Sequence, residues 1–168
     1  MKAAGALMVI LSCSVFGLSM ARELRERAEF LRSLIRLLTL LRNELCASLL
    51  PVADVLRLLE ENKNEPAHEF FARCREVFES GGLIKAAWSS AALGGAAWGL
   101  DAEECRALAG LGEIIGRYEA EKQRELIDRC IAYFEERARL AEEEKRRQYK
   151  LRAALGLGSG LMLAILML

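Results

Sequence analysis

The chain has 168 residues, 24 Lys plus Arg against 24 Asp plus Glu, 53% apolar residues and only two prolines. Zero net charge argues against nucleic-acid binding, which draws on a surplus of cations to neutralise phosphates. The apolar content excludes disorder. Apart from Lys2, every charge lies between Arg22 and Arg152.

That charge distribution predicts a membrane-tethered layout of three parts: an anchor over 1–21, a central domain over 22–152 and a second anchor over 153–168. Ala3 to Ala21 is uncharged for about 19 residues, which at 1.5 Å per residue matches a hydrocarbon core of roughly 30 Å. Ala153 to Leu168 is nearer 16 residues, at the short edge of the spanning range. Ser19-Met20-Ala21 has the form of a signal-peptide cleavage site, so a cleaved leader is the rival for the first segment. The basic flanks favour a retained anchor. Arg22, Arg25 and Arg27 follow the first segment, and Lys145, Arg146, Arg147, Lys150 and Arg152 precede the second, so both votes keep residues 22–152 in the cytoplasm with two spans and both termini outside.

In the middle, two apolar rows at helical spacing run from Arg22 to about Ser48: Leu24, Ala28, Leu31, Ile35, Leu38 and Leu45, with Phe30, Leu34, Leu37 and Leu41 beside them. Pro51 opens a second helix to about Asn62, since proline is tolerated in a first turn. A turn follows over Asn62 to Pro66. The third helix, Ala67 to Glu79, points Phe70, Phe71, Cys74 and Phe78 inward and closes at Gly81-Gly82. The fourth runs from Leu83 to about Leu93 with Trp88, ending at Gly94-Gly95. Asp101 with Glu104 has the capping-box form and opens the fifth, through Leu108, Leu111, Ile114 and Ile115, before a break at Gly116 to Glu119. The last helix starts near Ala120, with Leu126, Cys130, Phe134 and Ala138 on one face. Glu142 and Glu143 stand four residues before Arg146 and Arg147, a spacing that predicts ion pairs along a solvated spacer. No strand pattern competes, so the predicted fold is all-α: a cytoplasmic bundle of about six helices flanked by two transmembrane helices.

Chemistry is not signalled. Cys13, Cys46, Cys74, Cys105 and Cys130 show neither CxxC nor Cys/His spacing and read as small core residues. His68 is the only histidine and lacks a partner that would orient it for acid/base work. Gly156 to Gly160 follows a helix rather than a strand, which is the wrong context for a phosphate loop. It reads instead either as a small-residue packing motif of a membrane helix or as glycines that such a helix tolerates. Carboxylates such as Glu103, Glu104 and Glu113 read as solvated helix faces. The reading is therefore non-enzymatic, with no cofactor, metal or small-molecule substrate.

Several features occur together in an order that carries a resemblance. They are Gly5 and Gly17 in the first apolar segment, Arg27 with Leu31, and Leu41-Arg42-Asn43-Glu44-Leu45. Next come the turn at Pro51, Gly81-Gly82 ahead of Ala87-Trp88, and Leu100-Asp101-Ala102-Glu103-Glu104. Leu111-Gly112, Ile115-Gly116, Gln123, Ala141, Lys145, Tyr149 and Leu155-Gly156 complete the set. Over essentially its full length the chain resembles the stage III sporulation protein AB family of endospore-forming bacteria. Two positions depart from that pattern: Tyr118-Glu119 stands where the family has a Ser-Asp pair, and Leu49-Leu50 replaces the more usual Thr ahead of Pro51.

The resemblance implies a helical cytoplasmic domain similar to the F-type platform proteins of type II secretion. It also implies a place in the mother-cell membrane, with other channel proteins and a cytosolic secretion-type ATPase as partners. The candidate partner-binding residues are the polar bundle positions Glu103, Arg106, Arg117 and Glu121. The competing reading is a membrane-adhering helical scaffold that holds anionic lipid through Lys145 to Arg152, without ATPase coupling.

Overall fold

The computed structural model describes the backbone of residues 2–167 and the side chains of Arg22 and of residues 24–148. Six α-helices follow one another: α1 (Lys2–Cys46), α2 (Val52–Glu61), α3 (His68–Glu79), α4 (Ile84–Leu93), α5 (Ala102–Leu111) and α6 (Ala120–Met167), with a 3-10 helix over Gly94–Trp98 between α4 and α5. The described residues contain no strand. The two segments read as membrane spans lie outside the residues whose side chains are described. Among the described residues, no helix is long and apolar enough to cross a membrane.

Two long helices organise the rest. Arg42 of α1 pairs with Asp128 of α6 at 2.5 Å, and Arg32 pairs with Glu142. Because the lower number on α1 meets the higher number on α6, the helices are antiparallel. Residues 22–32 of α1 and 142–148 of α6 therefore lie at the same end of the hairpin.

Both apolar rows on α1 are used: Phe30, Leu31, Leu34, Leu37, Leu38 and Leu41 are each at most 2% exposed. Such a wide stripe needs cover on more than one side, and α6, α2 and the 3-10 segment, whose Trp98 stacks on Phe30, provide it. On α6 the buried face is Ile127, Ile131 and Phe134. The expected row of Leu126, Cys130, Phe134 and Ala138 is therefore rotated by one position: Leu126, Cys130 and Ala138 are only partly covered. The solvated spacer also needs correction. Glu142 ties across to Arg32 and along to Lys145, and Glu143 reaches back to Arg139, so the expected pairs with Arg146 and Arg147 do not form.

Between α3 and α4, Ser80 caps α3 and the N–H groups of Gly81 and Gly82 return to the carbonyls of Phe78 and Val77, at 3.1 and 3.2 Å. Gly81 takes φ +92°, the left-handed conformation that this closing motif requires. The fifth helix is shorter than expected: it stops at Leu111, and Ile114 and Ile115 sit on the turns that follow. Gly112 marks the stop, because it lies against Trp88 of α4, and a Cβ there would stand 2.5 Å from the Trp88 Cβ. Gly112→Ala is expected to push α4 and α5 apart and cost about 2 kcal/mol, as overpacking does. Thermal unfolding followed by circular dichroism measures the loss.

The turn between α1 and α2 carries the family departure at Leu49-Leu50. Leu49 has φ +53° and its side chain is 70% exposed, while the neighbouring amides of Ser48 and Leu50 bond back to Asn43 and Glu44. A left-handed L-residue costs on the order of 1 kcal/mol that glycine does not incur. Leu49→Gly is therefore expected to raise stability by about 0.5 kcal/mol, readable as a small rise in Tm.

Candidate functional site

The strongest constellation lies where α1, α5 and α6 meet. Asp101 caps α5: its side chain accepts the N–H of Glu103 at 2.9 Å and that of Glu104 at 2.8 Å, while Glu104 Oε2 accepts the Asp101 N–H at 2.9 Å. The predicted capping box is thus present. The reading of Glu104 as a solvated carboxylate is overturned, since its side chain is fully buried. A buried carboxylate needs partners, and two helices supply them. Arg27 Nη2 and Arg137 Nε both donate to Glu104 Oε1 at 2.8 Å, and Arg137 also donates to Asp101. Arg27 lies 3.7 Å from the same Asp101 carboxylate.

Two acids and two guanidiniums make a neutral knot. Burial alone would raise the Asp101 carboxyl, but the Glu104 N–H, Arg137, the Glu103 N–H and Arg27 outweigh it and hold the group below its ordinary value. Arg137 is held above its ordinary value chiefly by its hydrogen bond to Glu104. With both Glu104 oxygens occupied by donors, the knot is built to fasten helices, and it offers no free base. Among the described residues no group of His, Cys, Asp or Glu could hold a metal ion.

The knot sits between two clefts. One, of about 450 Å³, is lined by Glu26, Arg27, Phe30, Pro66, Trp98 and Gly99 among others. The other, of about 410 Å³, lies between α1 and α6 and includes Leu24, Arg27, Arg137, Leu140 and Arg147. Gly99 takes φ +76° and packs on the Arg27 Cβ, so glycine at this position brings the 3-10 segment down onto α1.

The residues read as partner-binding lie along α5, the turns after it and the start of α6. Glu103 and Arg106 are exposed near the start of α5, where Arg106 Nε bonds the Ala102 carbonyl at 3.1 Å. Arg117 and Glu121 are exposed beyond its other end, with Arg117 5.9 Å over the Tyr118 ring.

Among the membrane-flanking residues, Arg22 pairs with Glu26, Arg25 with Glu29, and Lys145 with Glu142. Arg27 belongs to the knot. Arg146 and Arg147 are exposed and make no ion pair among the described residues, and Lys150 and Arg152 lie outside them.

The cysteines Cys46, Cys74, Cys105 and Cys130 are free, with Cys74 buried and the others partly covered, while Cys13 lies outside the described side chains. Burial raises the Cys74 thiol and pushes Cys130 up to about 12, which keeps both protonated and unreactive. His68 sits at the start of α3 with Nδ1 2.8 Å from the Glu65 carbonyl.

The described residues thus define an all-α helical bundle whose α1, α5 and α6 are fastened by an ion-pair knot around the buried Glu104. The family model described as Stage III sporulation protein AB matches residues 2–168, and the chain belongs to that family. A solved structure of a stage III sporulation protein AB superposes with a TM-score of 0.64 at 21% identity, covering 73% of this chain and 98% of that one. At that identity the likeness speaks for the fold. No curated protein matches the chain.

Proposed function

We propose that the chain is a non-enzymatic coupling subunit of a sporulation membrane complex, holding a cytosolic secretion-type ATPase to the mother-cell membrane. The observation that carries this reading is the arrangement of α1 and α6. They run antiparallel, are cross-tied by Arg42–Asp128 and Arg32–Glu142, and bring residues 22–32 and 142–148 to the same end. Apolar segments beyond that end would anchor both helices in one bilayer. A push on the short helices would then reach both anchors through the knot.

The first test is protease protection of a C-terminally tagged chain in sealed right-side-out and inverted vesicles. The hairpin reading expects the tag to be cleaved only from outside and the bundle only in inverted vesicles. A bundle digested from outside would exclude a cytosolic motor as partner. The second test is pull-down of the ATPase by the full chain in detergent, with charge reversal at Glu103 and Arg106 or at Arg117 and Glu121. The loss is expected at one pair, since Glu103 and Arg106 lie on α5 whereas Arg117 and Glu121 lie beyond its end.

The scaffold reading draws support from Arg146 and Arg147, which are exposed, make no ion pair among the described residues and precede the second apolar segment. It expects binding to phosphatidylglycerol vesicles that falls away at high salt. ATPase retention at raised salt favours coupling.

A further inference from the structure

The chain is neutral as a whole, but its charges are sorted along the hairpin. Residues 33–136 carry 12 bases against 18 acids, whereas residues 22–32 and 137–152, at the end nearest the two apolar segments, carry 11 bases against 6 acids. A surplus of cations at one end favours an anionic surface opposite it.

At this end the cleft of about 410 Å³ opens between α1 and α6. Arg27 of α1 and Arg137 and Arg147 of α6 line it together with Leu24 and Leu140. Arg27 and Arg137 are held in place by Glu104, yet a guanidinium has five N–H donors and the knot uses only some of them. Arg27 donates through Nη2 and Arg137 through Nε and Nη2, and neither Nη1 makes a hydrogen bond among the described residues. Their side chains stay 30% and 24% exposed. Donors fixed in this way need little further ordering to bind an anion. Arg147 adds a charge that no carboxylate of the described residues neutralises. Two acids share the lining, and both are engaged elsewhere: Glu143 with Arg139, and Glu144 with the Gln148 amide at 3.0 Å.

The cleft also stands at a telling height. Helices α1 and α6 are continuous from it into both apolar segments. Six residues separate Arg27 from Ala21 and Arg147 from Ala153, about 9 Å of helix in each case. The headgroup layer is about 5–7 Å deep on each side of the hydrocarbon, so long arginine side chains at that distance are within reach of lipid phosphates. Leu24 lies on the way, three residues from Ala21. A free phosphate would use the same donors but has nothing to set against Leu24 and Leu140, whereas a phospholipid brings anion and apolar groups together.

We infer that the cleft between α1 and α6 seats the headgroup of one anionic phospholipid, its phosphodiester held by Arg147 and by the remaining donors of Arg27 and Arg137. Guanidinium pairs with phosphate in a bidentate geometry that rewards such fixed placement. The inference rests on the reading of both apolar segments as anchors in one bilayer. It differs from adhesion through the whole basic stretch, because it assigns binding to Arg147 and not to Arg146, which lines a different cleft with Arg32 and Glu142.

The test is native mass spectrometry of the full chain in detergent, titrated with dioleoylphosphatidylglycerol. One lipid per chain is expected to bind, with saturation. Dioleoylphosphatidylcholine is expected to bind at least tenfold more weakly, since its choline opposes the surplus cations. Arg147→Glu is expected to lower phosphatidylglycerol binding at least tenfold, and Arg146→Glu, the same charge change one position away, less than twofold. Neither residue belongs to the knot, and circular dichroism confirms that both variants fold. A large excess of inorganic phosphate is expected to leave the lipid in place. Equal losses in the two variants, equal binding of the two lipids, or displacement by phosphate would each overturn the inference. The same spectra weigh the chain. Full-length protein that holds no lipid overturns the inference and leaves the anchored hairpin standing, whereas protein lacking the first apolar segment overturns both.

Discussion

Replacing Glu104 by alanine is expected to destabilise the protein by about 3 kcal/mol, seen as a drop in Tm and in the denaturant midpoint. Removing one member of a buried ion pair typically costs about 3–5 kcal/mol, because the remaining charge is left without compensation. The low end applies because Arg27 and Arg137 keep 30% and 24% of their side chains exposed, so water relieves part of the loss. Glu104→Gln is expected to cost less, since the amide oxygen can still accept the Asp101 N–H. Replacing the buried acid together with both guanidiniums, Glu104→Leu with Arg27→Met and Arg137→Met, is expected to restore much of the lost stability, because the one charge that remains, Asp101, is 38% exposed and still accepts the Glu103 and Glu104 N–H groups. A triple variant as unstable as the sum of its single changes would refute the stranded-charge account.

The knot also sets an acid limit. Asp101 is held below its ordinary value of 3.8 in the folded state. A depressed carboxylate contributes stability that is complete above the unfolded value and is lost as pH falls through the folded one. Glu65 behaves likewise, held below its ordinary 4.5 chiefly by its hydrogen bond from Arg36. The wild-type chain is therefore expected to lose stability steeply below about pH 4, and Asp101→Asn is expected to flatten that slope. Tm measured across pH 2.5–6 for both chains decides this.

Most of the scaffold was legible because periodicity and punctuation agree. Two apolar rows on α1, proline at the start of α2, the glycine pair after α3 and the capping box of α5 each have a local cause written in adjacent residues. What escaped were properties set by distant partners. The burial of Glu104 depends on guanidiniums 77 and 33 residues away, so the capping spacing gave no warning of it. A trace was nonetheless present: Arg27 falls four residues before Leu31 and seven before Leu34, inside the apolar row. Arg137 follows Phe134 by three, on the buried side of α6. A cation in an apolar row signals a buried anion opposite. The rotation of the α6 face escaped because Leu126, Ile127, Cys130 and Ile131 offer two overlapping rows, and only packing against α1 chooses between them. The early stop of α5 likewise came from a close approach, Gly112 on Trp88, that periodicity does not encode.

Trp88→Ala is expected to be at least as damaging as loss of Glu104, at about 4 kcal/mol. The side chain is fully buried and meets Phe70 and Phe71 edge to face, with centroids 5.3 and 5.8 Å away. Truncating a buried tryptophan removes its transfer free energy and leaves a cavity, together about 3–5 kcal/mol. Here Gly112 adds to the loss. Its lack of a side chain fits the Trp88 Cβ and Cγ, and alanine keeps the first of these contacts but loses the second. Trp88→Phe separates shape from polarity. The indole N–H is buried without a hydrogen-bond partner among the described residues, so phenylalanine gives up volume but no hydrogen bond, and about 1.5 kcal/mol is expected. The chain has two tryptophans, which makes the readout direct. In either variant the remaining emission comes from Trp98, which is partly exposed and stacked on Phe30. The folded spectrum should therefore shift to the red relative to wild type. Equal losses for the phenylalanine and alanine variants would show that a smaller ring recovers none of the packing of α4 on α3 and α5, against the cavity account.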